Sequence, residues 1–339
     1  MGQSKSKMLS PDAISVKKKG FLYYLKRDWQ LYALMLLPMA FIIVFKYFAY
    51  TGLSVAFLDY KIGKGYAGSK FVGLKVFEKV FKHRDFGKAV ANTLLLNVLD
   101  LLFSFPMPII LALLLNEIRV KWFKRVTQTL LYLPHFLSWV VIGATAYAMF
   151  ATNSGVINTL IANAGKSPIP FLQEDAWWLF SYILIGIWQT MGWGTIIYLA
   201  AITNVNSELY EAAKVDGANR WQQCLHVTLP CIRSTIVVML IMQLGKLMGG
   251  SFERIVALSN AKATEYTTTI PVLVFKWFQG NKFSESTALG LFQSVIGVIL
   301  VIASDRVAKK LGEDGLLYYN GFPVTTYREN GKETVQDAY

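Results

Sequence analysis

Two sets of residues in this chain have types and spacings suited to chemistry. The first set is polar but lies inside apolar stretches. Tyr182, Gly186, Gln189 and Trp193 recur at i, i+4, i+7 and i+11, which is one face of a helix. Gln243, Lys246, Gly250 and Glu253 recur at i, i+3, i+7 and i+10 in another apolar stretch. Polar groups inside a membrane are costly, so such a row is a candidate path for a polar solute. Amides give and accept hydrogen bonds, a lysine supplies a cation, and an indole offers a flat apolar plate. Together they suit a hydroxyl-rich ring compound, and Lys246 suits an acidic one such as a uronate. The same residues would also serve to join helix to helix, and Lys246 has Asp100 or Glu253 as possible counter-ions.

The second set is the segment EAAKVDGANRWQQCLHVTLP, Glu211 to Pro230, which separates two of the most apolar stretches, near 176–202 and 232–250. SELYEAAKVDG holds good helix formers, with Leu209, Ala212 and Ala213 at helical spacing. Ser207 suits a helix start, although Glu211 falls one residue beyond the capping-box position. Gly217 can take the positive φ that ends a helix. ANRWQQCLHVT starts a second helix, and Leu229-Pro230 is expected to stop it and turn the chain. The expected result is two short amphipathic helices, at about a right angle, on the inner membrane surface. A plain connecting loop is the competing reading.

The elements that hold these residues follow from composition. Of 339 residues, 54% are hydrophobic and only 16% charged, against about 25% charged in soluble domains. Apolar runs long enough for a hydrocarbon core of about 30 Å recur. The fold class expected is all-α, a polytopic membrane protein with six spans near 31–52, 89–115, 126–150, 176–202, 232–257 and 286–307. The runs do not alternate as barrel strands do. Lys and Arg favour the segments that are inside when both termini are cytosolic, N-in and C-in. The outer loop 53–85 is nonetheless basic, from Lys61 to Arg84, and is expected to form a small folded cap.

Residues 1–30 read as a cytosolic basic segment ending in an interfacial helix. Residues 31–315 read as the membrane domain, with a loop at about 203–231, and 316–339 as a loose tail. No removable signal peptide is expected, because no apolar core followed by small residues opens the chain. The net charge of +13 fits membrane lipid headgroups, and no nucleic-acid motif accompanies it.

Other chemistries fail on spacing. GKGYAGSK (63–70) places Ser69 before Lys70, the reverse of a phosphate-binding loop. Cys224, His226 and Cys231 offer only three irregularly spaced ligands, one short of structural zinc, so no metal site is expected. No catalytic constellation is found.

Glu211-Ala212-Ala213, then Gly217, then Val227 and Leu229-Pro230, is similar to the EAA motif of binding-protein-dependent ABC importer permeases. Val215-Asp216-Gly217-Ala218 matches its carbohydrate branch. NTL (92–94), LPHFLSWVV (133–141), GVINTL (155–160) and IPVLVFKWF with TALG (270–290) also resemble family segments. Two departures stand out: Cys224 where an aromatic residue is expected, and Val227 where the family has an isoleucine-like one.

The resemblance implies a non-catalytic subunit that docks two copies of a cytosolic ATPase, which uses ATP and Mg; this chain would bind no cofactor. Glu211 would pair with a basic ATPase residue, Ala212 and Ala213 would let the helix sit deep, Gly217 would set the angle, and Leu229 and Pro230 would fix the junction to the next span. It further implies a second homologous permease, an extracellular or periplasmic solute-binding protein, an oligosaccharide substrate and the bacterial cell membrane. A self-sufficient secondary transporter or channel is the alternative, and it needs an intramembrane carboxylate relay or an internal repeat.

Overall fold

The computed structural model describes residues 20–260, 262, 265–312, 316, 324–329 and 332–337. Of the basic segment expected over 1–30, residues 1–19 lie outside the described residues. The chain divides into two units, Met1–Ser54 and Val55–Tyr339.

The first unit holds α1 (Phe21–Arg27) and most of α2 (Trp29–Phe57). The two meet at Asp28, whose carboxylate accepts two hydrogen bonds of 2.8 Å from the Arg27 guanidinium. From Trp29 to Tyr47, α2 is apolar on every side and buries no side chain. A helix apolar all round has lipid as its natural surrounding.

The second unit opens with a small cap, as the length of loop 53–85 suggested. Strand β1 (Leu58–Asp59) pairs antiparallel with β2 (Lys70–Phe71), with Leu58 opposite Phe71, and α3 (Lys75–Phe81) follows. The long helix α4 (Phe86–Glu117) comes next, then α5 (Lys121–Phe136), α6 (Trp139–Phe150) and the short α7 (Val156–Asn163). After them run α8 (Asp175–Thr203), α9 (Ser207–Val215), α10 (Arg220–Cys231) and α11 (Arg233–Leu244). Helices α12 (Phe252–Leu258), α13 (Ile270–Gln279) and α14 (Phe283–Lys310) complete the helical part. In the tail, where a loose segment was expected, β3 (Val324–Glu329) and β4 (Lys332–Asp337) form an antiparallel hairpin.

Helices α4 and α8 run parallel. Leu96 shares a buried cluster with Tyr182 near one end, and Ala112 and Leu115 share another with Tyr198, Leu199 and Ile202 near the other end. Small residues let them close: a Cβ on Gly194 would lie 2.9 Å from the Pro108 ring, and one on Gly192 would overlap the Leu131 carbonyl of α5. A third cluster joins α3, α4, α13 and α14 through Val80, Ala89, Ile270, Leu273, Trp277 and Leu289.

Four helices of the described residues are long and apolar enough to cross a membrane, and there are six spans when each of two bent pairs counts as one. The bends correct two of the expected straight spans. Between α5 and α6 the axis turns by 104°. Pro134 sits in a tight turn of 3₁₀ helix, Leu137 is extended, and Ser138 starts α6 by accepting a hydrogen bond from the Val141 amide. The stretch expected as one helix over 232–257 also breaks. Helix α11 ends at Leu244, and α12 begins only at Phe252. Between them the chain runs through tight turns, with the Lys246 amide on the Gln243 carbonyl and the Leu247 amide on that of Leu244, and Gly250 takes φ +73°, which a glycine adopts without strain.

Candidate functional site

The break after α11 opens a cavity of about 960 Å³ in the second unit, walled by α4, α5, α8, α11, α12 and α14. Of the sequence-predicted residues, Trp193, Gln243, Lys246 and Gly250 line it. Trp193 is 45% exposed, and its ring stacks on the His135 imidazole with centroids 4.6 Å apart and planes at 6°. Phe136 meets the indole edge-on at 5.7 Å. The bend between α5 and α6 is what brings His135 and Phe136 to α8.

Tyr182 and Gln189 do not reach the cavity; they are buried in the helix packing at 1% and 7% exposure. Gly186 is also covered. The predicted row on α8 therefore splits, its first three members facing protein and only Trp193 facing open space. The row on the fifth stretch loses its last member: Gln243, Lys246 and Gly250 share the cavity, but the broken helix takes Glu253 out of step. Glu253 is exposed outside the cavity wall, and the next residue, Arg254, occupies the wall instead.

Arg254 is the main residue that sequence reasoning missed. It is 3% exposed and forms an ion pair with Asp100 of α4. Its guanidinium carbon lies 3.7 Å from the centroid of the Tyr182 ring, a close cation–π contact, and 5.8 Å from that of Trp139. A Cβ on Gly186 would overlap the guanidinium, so a glycine is what gives the arginine its slot. Tyr182 is held in turn by stacking on Trp178 at 5.1 Å, and the Trp178 indole donates to the Leu258 carbonyl at 2.8 Å. Ser104 donates to the second Asp100 oxygen at 3.0 Å. A buried charge has to be paired, and two charged residues inside apolar stretches were the signal available. Lys246 forms no ion pair with any described residue, which removes Asp100 and Glu253 as its counter-ions.

The polar segment folds as two short helices. Asn206 caps α9 by accepting from the Glu208 amide at 3.0 Å, one residue before the expected start at Ser207. Gly217 has φ +81° and ends α9. Asn219 and Gln222 close a reciprocal capping box on α10. Glu211, Ala212, Asp216 and Gly217 are exposed, while Ala213 and Leu229 are half-buried. Val215 and Trp221 project with 88% and 70% exposure. Leu229 and Pro230 do not stop the helix. The helix passes through Pro230, directly after a π-helical turn over Cys224–Thr228, and bends by 62° at Ile232.

Two contacts brace this element. The Tyr210 hydroxyl lies 3.0 Å from that of Thr228, tying α9 to α10. Arg220 bonds Glu117 at the end of α4 at 2.5 Å. Cys224 and Cys231 are free thiols, and no group of three or more metal-ligating side chains converges among the described residues.

The other segments singled out in the sequence act as clamps. Asn92 donates to the carbonyls of Glu265 and Thr268 at 2.7 and 3.0 Å. Thr93 accepts from the Ile270 amide at 2.9 Å. Asn158 donates to the Ala151 and Ile169 carbonyls and accepts from the Ile169 amide at 2.7 Å, closing the loop around α7.

Residues 104–312 match the family described as "Binding-protein-dependent transport system inner membrane component". The polygalacturonan/rhamnogalacturonan transport system permease protein YteP of Bacillus subtilis (strain 168) is 43% identical over 301 residues, covering 88% of this chain and 94% of that one. Protein LplB of the same strain is 41% identical over 293 residues, or 86% and 92% of the two chains. Among solved structures, a chain of a bacterial ABC transporter involved in the import of the acidic polysaccharide alginate is similar, with a TM-score of 0.78 and 35% identity over 86% of this chain and 99% of that one. The bent pairs, the exposed two-helix element and these matches agree: the chain belongs to the binding-protein-dependent inner membrane components, as a multi-pass permease subunit of the cytoplasmic membrane.

Proposed function

We propose that this subunit forms one half of an ATP-driven importer of oligosaccharides, moving its cargo by alternating access. It hydrolyses nothing itself. A cytosolic ATPase, present in two copies and using ATP and Mg, docks on α9 and α10, and a second, homologous permease completes the pathway. A binding protein delivers cargo at the end of the bundle that carries the β1–β2 cap. The relatives' names support the cargo class: YteP is named for polygalacturonan and rhamnogalacturonan, and a similar structure was solved with a periplasmic protein bound to an alginate pentasaccharide.

One observation carries the reading. The exposed face of α9, with Glu211, Ala212 and Asp216, is mechanically continuous with the cavity. Arg220 joins α10 to the end of α4, Tyr210 joins α9 to Thr228, and α10 passes through Leu229 and Pro230 to the bend at Ile232, where α11, which carries Gln243, begins. A push on α9 therefore reaches the cavity wall as rigid-body motion. Glu211 is the handle, since a charge-assisted bond to a basic ATPase residue transmits both push and pull. Inside, Trp193, Gln243 and Lys246 meet the sugar, and Tyr182 and Gln189 hold the wall from behind.

A secondary carrier would use a titrating carboxylate, and Asp100 is instead engaged by Arg254 and Ser104.

The test is Glu211→Lys in the assembled complex. The variant is expected to insert into the membrane normally, lose the ATPase subunits on purification and take up no sugar. Uptake at the parent rate, with the ATPase still bound, overturns the docking role.

A further inference from the structure

Among the described residues of the cavity wall, the ionised side chains do not cancel. Asp100 and Arg254 neutralise each other, and Lys246 has no counter-ion. The lysine sits on the glycine-rich turn between α11 and α12, and amides from two other helices lie beside the glycines of that turn. The Asn97 amide nitrogen of α4 lies 3.2 Å from where a Cβ on Gly250 would stand, and that of Gln293 of α14 lies 3.8 Å from the same position on Gly249. Gln243 lines the cavity one helical turn before. Lys246 is exposed to the cavity, so its ammonium is open to an incoming anion. An open ammonium in a wall that also carries the amides of Asn97, Gln243 and Gln293 suits a carboxylate whose neighbours are hydroxyls.

We infer that Lys246 reads the carboxylate of a uronate-bearing oligosaccharide and makes this permease select acidic over neutral sugars. The Asp100–Arg254 pair contributes by keeping the second cation out of that choice, so the cavity presents one site of charge. This rests on the carbohydrate reading above and narrows its substrate class.

The experiment uses the full complex, with its partner permease, ATPase and binding protein, in proteoliposomes. Uptake is measured for a short oligogalacturonide and for the same compound fully methyl-esterified, which keeps the hydroxyls and removes the charge. The binding protein is identical in every arm, so its own preference cancels when each variant is compared with the parent. For Lys246→Gln, the ratio of acid to ester uptake is expected to fall at least about tenfold, the scale of one lost charged hydrogen bond. Lys246→Arg is expected to keep the parent ratio. Ester uptake by the glutamine variant shows that it is folded and assembled. An unchanged ratio in Lys246→Gln, or an equal loss for acid and ester in both variants, overturns the inference while leaving the carbohydrate reading intact. A parent complex that imports neither compound nor any neutral oligosaccharide overturns that reading, and this inference with it.

Discussion

Arg254 of α12 and Asp100 of α4 form a buried ion pair beside Gly186 of α8, so a single bond ties together three elements of the cavity wall. Removing one partner leaves a lone buried charge and is expected to cost roughly 3–5 kcal/mol. Asp100→Asn and Arg254→Gln should therefore each lower the thermal stability of the detergent-solubilised protein. Gly186→Ala should do the same without touching either charge, since its methyl takes the guanidinium's place. Replacing both charges together, Asp100→Leu with Arg254→Met, should cost less than either single change. Melting curves that match the parent for the single variants would refute the pair's role.

Gly217 turns the chain between α9 and α10 at φ +81°, with nothing within 4 Å of a Cβ placed there. Space is available, and only the backbone is strained. Gly217→Ala should therefore cost about 1–2 kcal/mol and leave part of the uptake. Gly217→Pro fixes φ near −65° and should abolish uptake and ATPase assembly while membrane insertion stays normal. Co-purification with the ATPase and transport in vesicles separate the two. Full import by the proline variant would remove Gly217 from the coupling element.

Trp193 and Gln243 face the cavity, whereas Tyr182 and Gln189 do not. Trp193→Ala and Gln243→Ala should impair uptake without loss of the assembled complex, and Trp193→Phe should keep part of the stacking on His135. Tyr182→Leu should instead act on stability, because its ring carries Arg254. Unchanged transport kinetics for Trp193→Ala would take the indole out of the path.

Thr93 both donates to the Ala89 carbonyl and accepts from the buried Ile270 amide. Thr93→Val keeps the shape and leaves that amide without a partner, which should cost about 1–3 kcal/mol. Thr93→Ser, which keeps the hydroxyl, should cost less. Limited proteolysis of the connection between α12 and α13 checks this: faster cleavage in the valine variant is expected, and equal rates in both variants would exclude the clamp.

Membrane embedding was legible in the sequence because it depends on the lengths of apolar runs, a property of local composition. The end of α9 at Gly217 was legible for a similar reason, since a residue able to take positive φ falls right after a run of helix formers. The tail hairpin was not legible. Its register pairs Val324 with Asp337 through main-chain hydrogen bonds, and a polar stretch gives little sign of them.

What the sequence by itself determined was the apolar stretches, the two-helix element and the family motif, because each is written in neighbouring residues. What only the tertiary structure decided was which polar residues meet. The periodicity that aligned Gln243 with Glu253 assumed an unbroken helix, and the turn at Gly249-Gly250 turns Glu253 out and Arg254 in. Whether a glycine pair bends or breaks a helix depends on what lies opposite. Here an aspartate 154 positions away and a glycine slot on a third helix make the broken form the favoured one.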